Sequence, residues 1–168
     1  MRKTPAAAIL IALTLALASC SGTTTYAKIA SERDQARAEA QEIFPPIVSQ
    51  LGGEMVDSWG EWSYGGTKNI DRRQYAVKAQ FDVASPPDSQ TLINLFEDLG
   101  YPIVQYPKDG NPALIGEKDG FRLSISVTDA STNTVMLRSP WRKMRPHTPQ
   151  PLVGREPLDL NMPSPTST

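Results

Sequence analysis

The chain has one cysteine and one histidine among its 168 residues, and those two scarcities remove several kinds of chemistry at once. A zinc or copper centre needs His, Cys or carboxylate ligands converging at fixed spacing. His147 stands alone among prolines near the C-terminus and Cys20 has no second thiol, so no metal and no cofactor is expected. A Ser-His-Asp arrangement would have to recruit His147 from a flexible segment, where a base is not held in attack geometry. With no cysteine to pair, a folded domain forms no disulfide and relies on its apolar core. Phosphate loops and dinucleotide fingerprints are absent, because Gly52-Gly53 and Gly65-Gly66 are bare turn signals.

What is present begins with the surroundings of the lone thiol. Residues 1–19 have a short positive start (Arg2, Lys3), an apolar run over residues 6–18, and small residues before the cysteine. As a helix that run would span roughly 20 Å at ~1.5 Å per residue, short of the ~30 Å bilayer core. It therefore reads as a cleavable signal. Leu17-Ala18-Ser19-Cys20, followed by the small polar run Ser21-Gly22-Thr23-Thr24-Thr25, resembles the box of a bacterial lipoprotein precursor. In that class the cysteine sulfur is modified with diacylglycerol and the chain is cut just before it. The resemblance implies that Cys20 is lipidated, that the membrane is a partner through this lipid, and that the protein sits on the outer face of the cell membrane. Two acyl chains suit the task, since one gives only marginal membrane binding. Losing Arg2 and Lys3 with the signal leaves 15 basic against 18 acidic side chains, a formal charge of −3. So near neutrality, nucleic acid is not an expected partner.

The organisation expected is a signal at 1–19, a lipidated tether at 20–26, one domain at 27–139 and a proline-rich disordered tail at 140–168. Apolar residues at Ile29, Ala36, Ala40, Ile43, Phe44, Ile47, Val48 and Leu51 follow one helical face. Thr25 or Ser31 would cap that helix, and Pro45-Pro46 should kink it. Residues 55–64 read as a strand with a bulge at Gly60, and residues 75–83 alternate with period two. Ser85-Pro86-Pro87-Asp88 starts a second helix, with Ser85 as cap. Short strands follow at 103–106, 113–117, 121–128 and 134–138. This order predicts α+β: an antiparallel sheet of four to six short strands with two helices packed on one face.

The layout is similar to small actinobacterial envelope lipoproteins of the LppA kind, on the residues Ala36 to Gln41, Trp59, Trp62, Leu99-Gly100-Tyr101 and Gly120-Phe121-Arg122-Leu123. That resemblance implies an envelope location and carries no activity with it. The carboxylate pairs Glu39/Glu42, Glu97/Asp98 and Glu117/Asp119 read as solubility and turn chemistry, because a glycosidase needs two acids facing across a cleft. Three groups stand out as candidate binding residues. Trp59, Trp62 and Tyr64 would make an aromatic platform, although the two indoles of a regular strand point to opposite faces. The loop 65–74 carries Lys68, Asp71, Arg72 and Arg73. Trp141-Arg142-Lys143-Met144-Arg145 joins an indole to three cations and would suit anionic lipid or wall polymer. The expected role is a membrane-anchored, non-enzymatic binding or interaction module of the cell envelope, with an envelope protein or wall polymer as partner. The alternatives are a small envelope-polymer hydrolase or transferase, or an immunity-type lipoprotein that blocks a toxin.

Overall fold

The computed structural model describes residues 24–66, 71–108, 113–128, 133–144 and 154–160. The signal, Cys20, Lys68, Arg145 and His147 lie outside the described residues, as do the tail segments 145–153 and 161–168.

Helix α1 spans Tyr26–Gln50, and Thr25 caps it by accepting the Lys28 backbone N–H at 3.4 Å. It runs through Pro45 and Pro46. Each proline forgoes one helical bond, yet Phe44, Ile47 and Val48 are buried on either side of the pair, and that burial carries the helix across. Strands β1 (Gly53–Gly65) and β2 (Arg72–Val83) form a long antiparallel hairpin. Helix α2 (Ser89–Asp98) follows, capped by Asp88, whose carboxylate accepts the Thr91 N–H at 2.7 Å. The cap is therefore Asp88 and not Ser85. A residue preceding proline is pushed out of the helical region, so Pro86, which precedes Pro87, cannot be the first helical residue that a cap at Ser85 requires. Strands β3 (Ile103–Gln105), β4 (Ala113–Lys118), β5 (Phe121–Ser126) and β6 (Asn133–Arg138) come next.

The fold is α+β, with two helices and an antiparallel sheet of eight strands, which corrects the expected four to six. Both additional strands, β7 (Arg142–Lys143) and β8 (Arg155–Pro157), come from the segment expected to be an unpacked tail. The order is β3-β4-β5-β6-β2-β1-β8, with β7 also on β2. Strand β8 is an edge strand, where a proline's missing donor costs no ladder bond. Just beyond it, Leu158 and Leu160 are buried in the main core. The domain thus does not end at 139.

One sheet face carries the core. Tyr75, Val77, Ala79, Phe81 and Val83 of β2 meet Leu123 and Ile125 of β5 and Val135 and Leu137 of β6. The buried stripe of α1 and Leu95 and Phe96 of α2 complete the same cluster. The outer face takes the alternate residues, among them Trp59, Glu61, Lys78, Arg122 and Arg138.

Gly60 is not at a bulge; the register shift falls between Met55 and Asp57. The glycine makes room. A Cβ at position 60 would lie 1.8 Å from the Tyr75 hydroxyl oxygen. That hydroxyl crosses Gly60 to donate to Glu156 of β8 at 2.9 Å, and Arg37 of α1 donates to the same carboxylate at 2.9 Å. Burial, reinforced by the Glu156 carboxylate, raises the Tyr75 pKa, so the phenol stays a donor.

Candidate functional site

The expected aromatic platform does not form. Trp59 points to the outer face but is only 5% exposed. The Arg155 guanidinium lies 4.1 Å from its ring centre, and Pro157 sits opposite it across the β1–β8 ladder. Its indole N–H donates to Glu61 at 3.0 Å, and Glu61 also pairs with Lys78. Burial pushes the Glu61 carboxyl up, but the Lys78 ammonium and the Trp59 N–H outweigh it and hold the group below its ordinary value. Trp62 points to the helix side and meets Tyr75 edge-on at 5.0 Å. The two indoles do lie on opposite faces, and both are packing groups. Tyr64 is the partly exposed member of the three, with the Arg73 guanidinium 5.6 Å from its ring.

Arg72 and Arg73, expected in a loop, belong to β2 because the hairpin ladder continues to the Gly65–Arg72 pair. Arg73 turns inward, is 1% exposed and bonds Asp71 at 2.8 and 3.4 Å, so it holds the hairpin and is not available as a surface contact. Arg72 turns outward and is exposed.

Strands β6 and β7 are one line of chain along β2, interrupted at Ser139-Pro140-Trp141. Ser139 stays docked: its hydroxyl accepts the Tyr75 N–H at 3.0 Å and its carbonyl accepts the Gln74 amide at 2.7 Å. The interruption presents Trp141 at the surface, 46% exposed, with its ring over Gly65. A Cβ at position 65 would sit 3.2 Å from that indole, a tight contact that the ring would have to yield to by a few tenths of an ångström. Arg142 turns to the helix side and grips the buried Glu32 with bonds of 2.7 and 3.0 Å. Lys143 is exposed, and Met144 is buried. Of the expected tail cluster, Trp141 and Lys143 are therefore surface groups, while Arg142 is structural.

The register then shows something no local spacing reveals. Arg72 lies directly opposite Lys143, and Arg122 directly opposite Arg138. Like charges in direct cross-strand positions destabilise a sheet. Arg122 is partly compensated by Glu117 at 2.9 Å. Arg138 has no hydrogen-bond or ion-pair partner among the described residues, and burial together with the Arg122 charge lowers its pKa. Lys28 of α1 and Lys118 of β4 are exposed at the same end of the sheet. The exposed rings of Tyr26, Tyr64 and Trp141 border it. At the far end of β2, about 35 Å away at ~3.3 Å per residue, Glu54 faces Asp82. The domain is polarised along the sheet, basic and aromatic at one end and acidic at the other.

The chain enters this domain at the basic end. The Thr24 N–H donates to the Lys143 carbonyl at 2.9 Å, and Thr24 bridges Met144, whose own N–H bonds the Asp71 carbonyl at 2.8 Å. The carboxylates expected to be solvated are engaged separately where bonded at all: Tyr101 donates to Glu39 at 2.6 Å, and Glu117 holds Arg122. Among the described residues no helix is long and apolar enough to cross a membrane, and no group of metal-ligating side chains converges. Comparison with family models, curated proteins and solved structures finds no match, so the site is read from its own chemistry.

Proposed function

We propose that this is an envelope lipoprotein held by a diacylglyceryl group on Cys20, whose domain is a non-enzymatic binding module seated basic end down on an anionic bilayer. The observation that carries the reading is the position of Thr24. It lies four residues after Cys20 and is hydrogen-bonded to the strand that bears Lys143. A four-residue tether reaches about 14 Å at ~3.5 Å per residue, so a lipid on Cys20 keeps this end beside the headgroups. Trp and Tyr favour that interface, and each cation near it contributes ~1 kcal/mol. The opposite polarity of the far end favours a second, compatible role. Glu54 and Asp82 face away from the membrane, where a cationic protein such as a toxin met by an immunity-type lipoprotein would find them.

The test uses the chain from residue 20 onward with Cys20→Ser, so that binding reports the domain and neither the lipid nor the apolar signal. It should co-sediment with phosphatidylglycerol vesicles and not with phosphatidylcholine vesicles. Arg72→Ala with Lys143→Ala should weaken it by about 30-fold, from ~1 kcal/mol per cation. Equal binding to both lipids, or no effect of the double substitution, would rule out the seating. The anchor is tested separately: the parent chain should gain the mass of a diacylglyceryl group and the Cys20→Ser chain should not.

A further inference from the structure

Beside Trp141, on the outer face, is a cavity of about 340 Å³ lined by Gln74, Glu117, Arg122, Arg138, Ser139 and Trp141. Its two arginines are the directly opposed pair of β5 and β6. A fold gains nothing from setting the half-buried Arg138 directly across from a second arginine, the exposed Arg122, and one acid, Glu117, serves only Arg122. The lining therefore holds two positive charges against one negative. Gln74 is already committed to the Ser139 carbonyl, and Arg138 keeps all its N–H groups uncommitted among the described residues.

We propose that this cavity binds a phosphodiester. One negative charge balances the surplus of the lining, and its two non-bridging oxygens offer an acceptor to each guanidinium, as the charge-assisted hydrogen bonds by which arginine recognises phosphate. A bare carboxylate would fill little of a cavity of this size, whereas the two ester arms of a phosphodiester extend from the anion. One arm would run along Arg138 and the other lie against the indole of Trp141. The diester has two available sources, the headgroup of an anionic phospholipid and a soluble or wall-bound polyol phosphate. Both present the same anion to the arginines. The proposal does not rest on the seating of the domain, because Arg72 and Lys143 lie outside the cavity lining.

The experiment is a calorimetric titration of the full chain in a maltoside detergent with glycerophosphoglycerol, a soluble phosphodiester, with sodium acetate as competitor. A second arm uses nanodiscs of phosphatidylglycerol or phosphatidylcholine. Saturable binding of the soluble diester, weakened at least tenfold by Arg138→Gln and by Arg122→Gln, is expected. Arg138→Lys should also weaken it, since an ammonium cannot supply the fork. Near-UV circular dichroism of each variant establishes that it is folded. Binding that appears only with phosphatidylglycerol nanodiscs and is lost in Arg138→Gln supports the headgroup as source. Binding of the soluble diester alone supports a polyol phosphate. Absence of binding in both arms, equal binding by a folded Arg138→Gln chain, or equal competition by acetate would overturn the proposal. Loss of vesicle seating with diester binding intact would leave it standing.

Discussion

A methyl group added at Gly60 would meet the tightest contact of the inner face. Its Cβ would lie 1.8 Å from the Tyr75 hydroxyl oxygen and 2.6 Å from the ring carbon that bears it. The phenol has little room to retreat, because Trp62 packs edge-on against the ring at 5.0 Å and Glu156 holds the hydroxyl at 2.9 Å. Overpacking of this kind costs about 1–3 kcal/mol, and a displaced phenol also gives up a hydrogen bond to a charged group worth about 1.5–3 kcal/mol. Arg37 still holds Glu156, so the carboxylate is not left alone, and Gly60→Ala should cost about 2.5–6 kcal/mol on these figures. Tyr75→Phe removes the oxygen and frees the ring to slide. In that background Gly60→Ala should cost about 1–2 kcal/mol less, a coupling of the size found for residues in contact. Urea denaturation of the parent, the two single variants and the double variant, followed by far-UV circular dichroism, closes the cycle. Additivity within ~0.5 kcal/mol would refute the idea that Gly60 exists to let Tyr75 reach Glu156.

Arg142→Ala should cost about 1–3 kcal/mol, because it leaves Glu32 buried and unpaired while the pair itself is partly screened by solvent; replacing Glu32 with Leu in the same chain should recover part of the loss in thermal denaturation. Leu158→Ala should cost about 2–4 kcal/mol, as for a core leucine, whereas an unpacked tail would show no change. The Glu61 carboxyl is held below its ordinary 4.5, so its contribution is complete above that pH and is lost as acidification passes through the lowered value. Glu61→Gln should accordingly flatten the fall of stability below about pH 4.5 in a pH series of urea midpoints; an unchanged acid limb would contradict the Lys78–Glu61–Trp59 arrangement.

Much of the frame was legible because its signals are local. Period-two alternation over residues 75–83 marks β2, and the spacing of Ala36, Ala40, Phe44 and Ile47 marks the buried stripe of α1. What escaped was set by partners distant in sequence. Strand β8 is three residues long and ends in proline, too short for any period, and it exists because Glu156 and Leu158 have places waiting in the fold. The same absence misplaces Trp59, which looks like an exposed platform until Arg155 and Pro157 cover it. Gly60 resembles a bulge because a glycine in a strand has two readings, and only Tyr75 decides between them. Trp141 and Lys143 were visible as an interfacial cluster. That Arg142 between them turns inward to Glu32 follows from strand alternation, but only once β7 is known to be a strand. The opposed arginines, 122 and 138, needed the register of β5 and β6.

Trp141 reports directly on whether the basic, aromatic end rests on the membrane. It is far more exposed than either of the other two tryptophans, at 46% against 5% for Trp59, with Trp62 partly buried in the core. The full lipidated chain in vesicles of phosphatidylglycerol brominated near the headgroup should lose a distinct part of its tryptophan fluorescence, and that part should be absent from Trp141→Phe. Unquenched emission identical in brominated and ordinary vesicles, from a chain shown to be lipidated on Cys20, would place this end away from the bilayer and contradict the account.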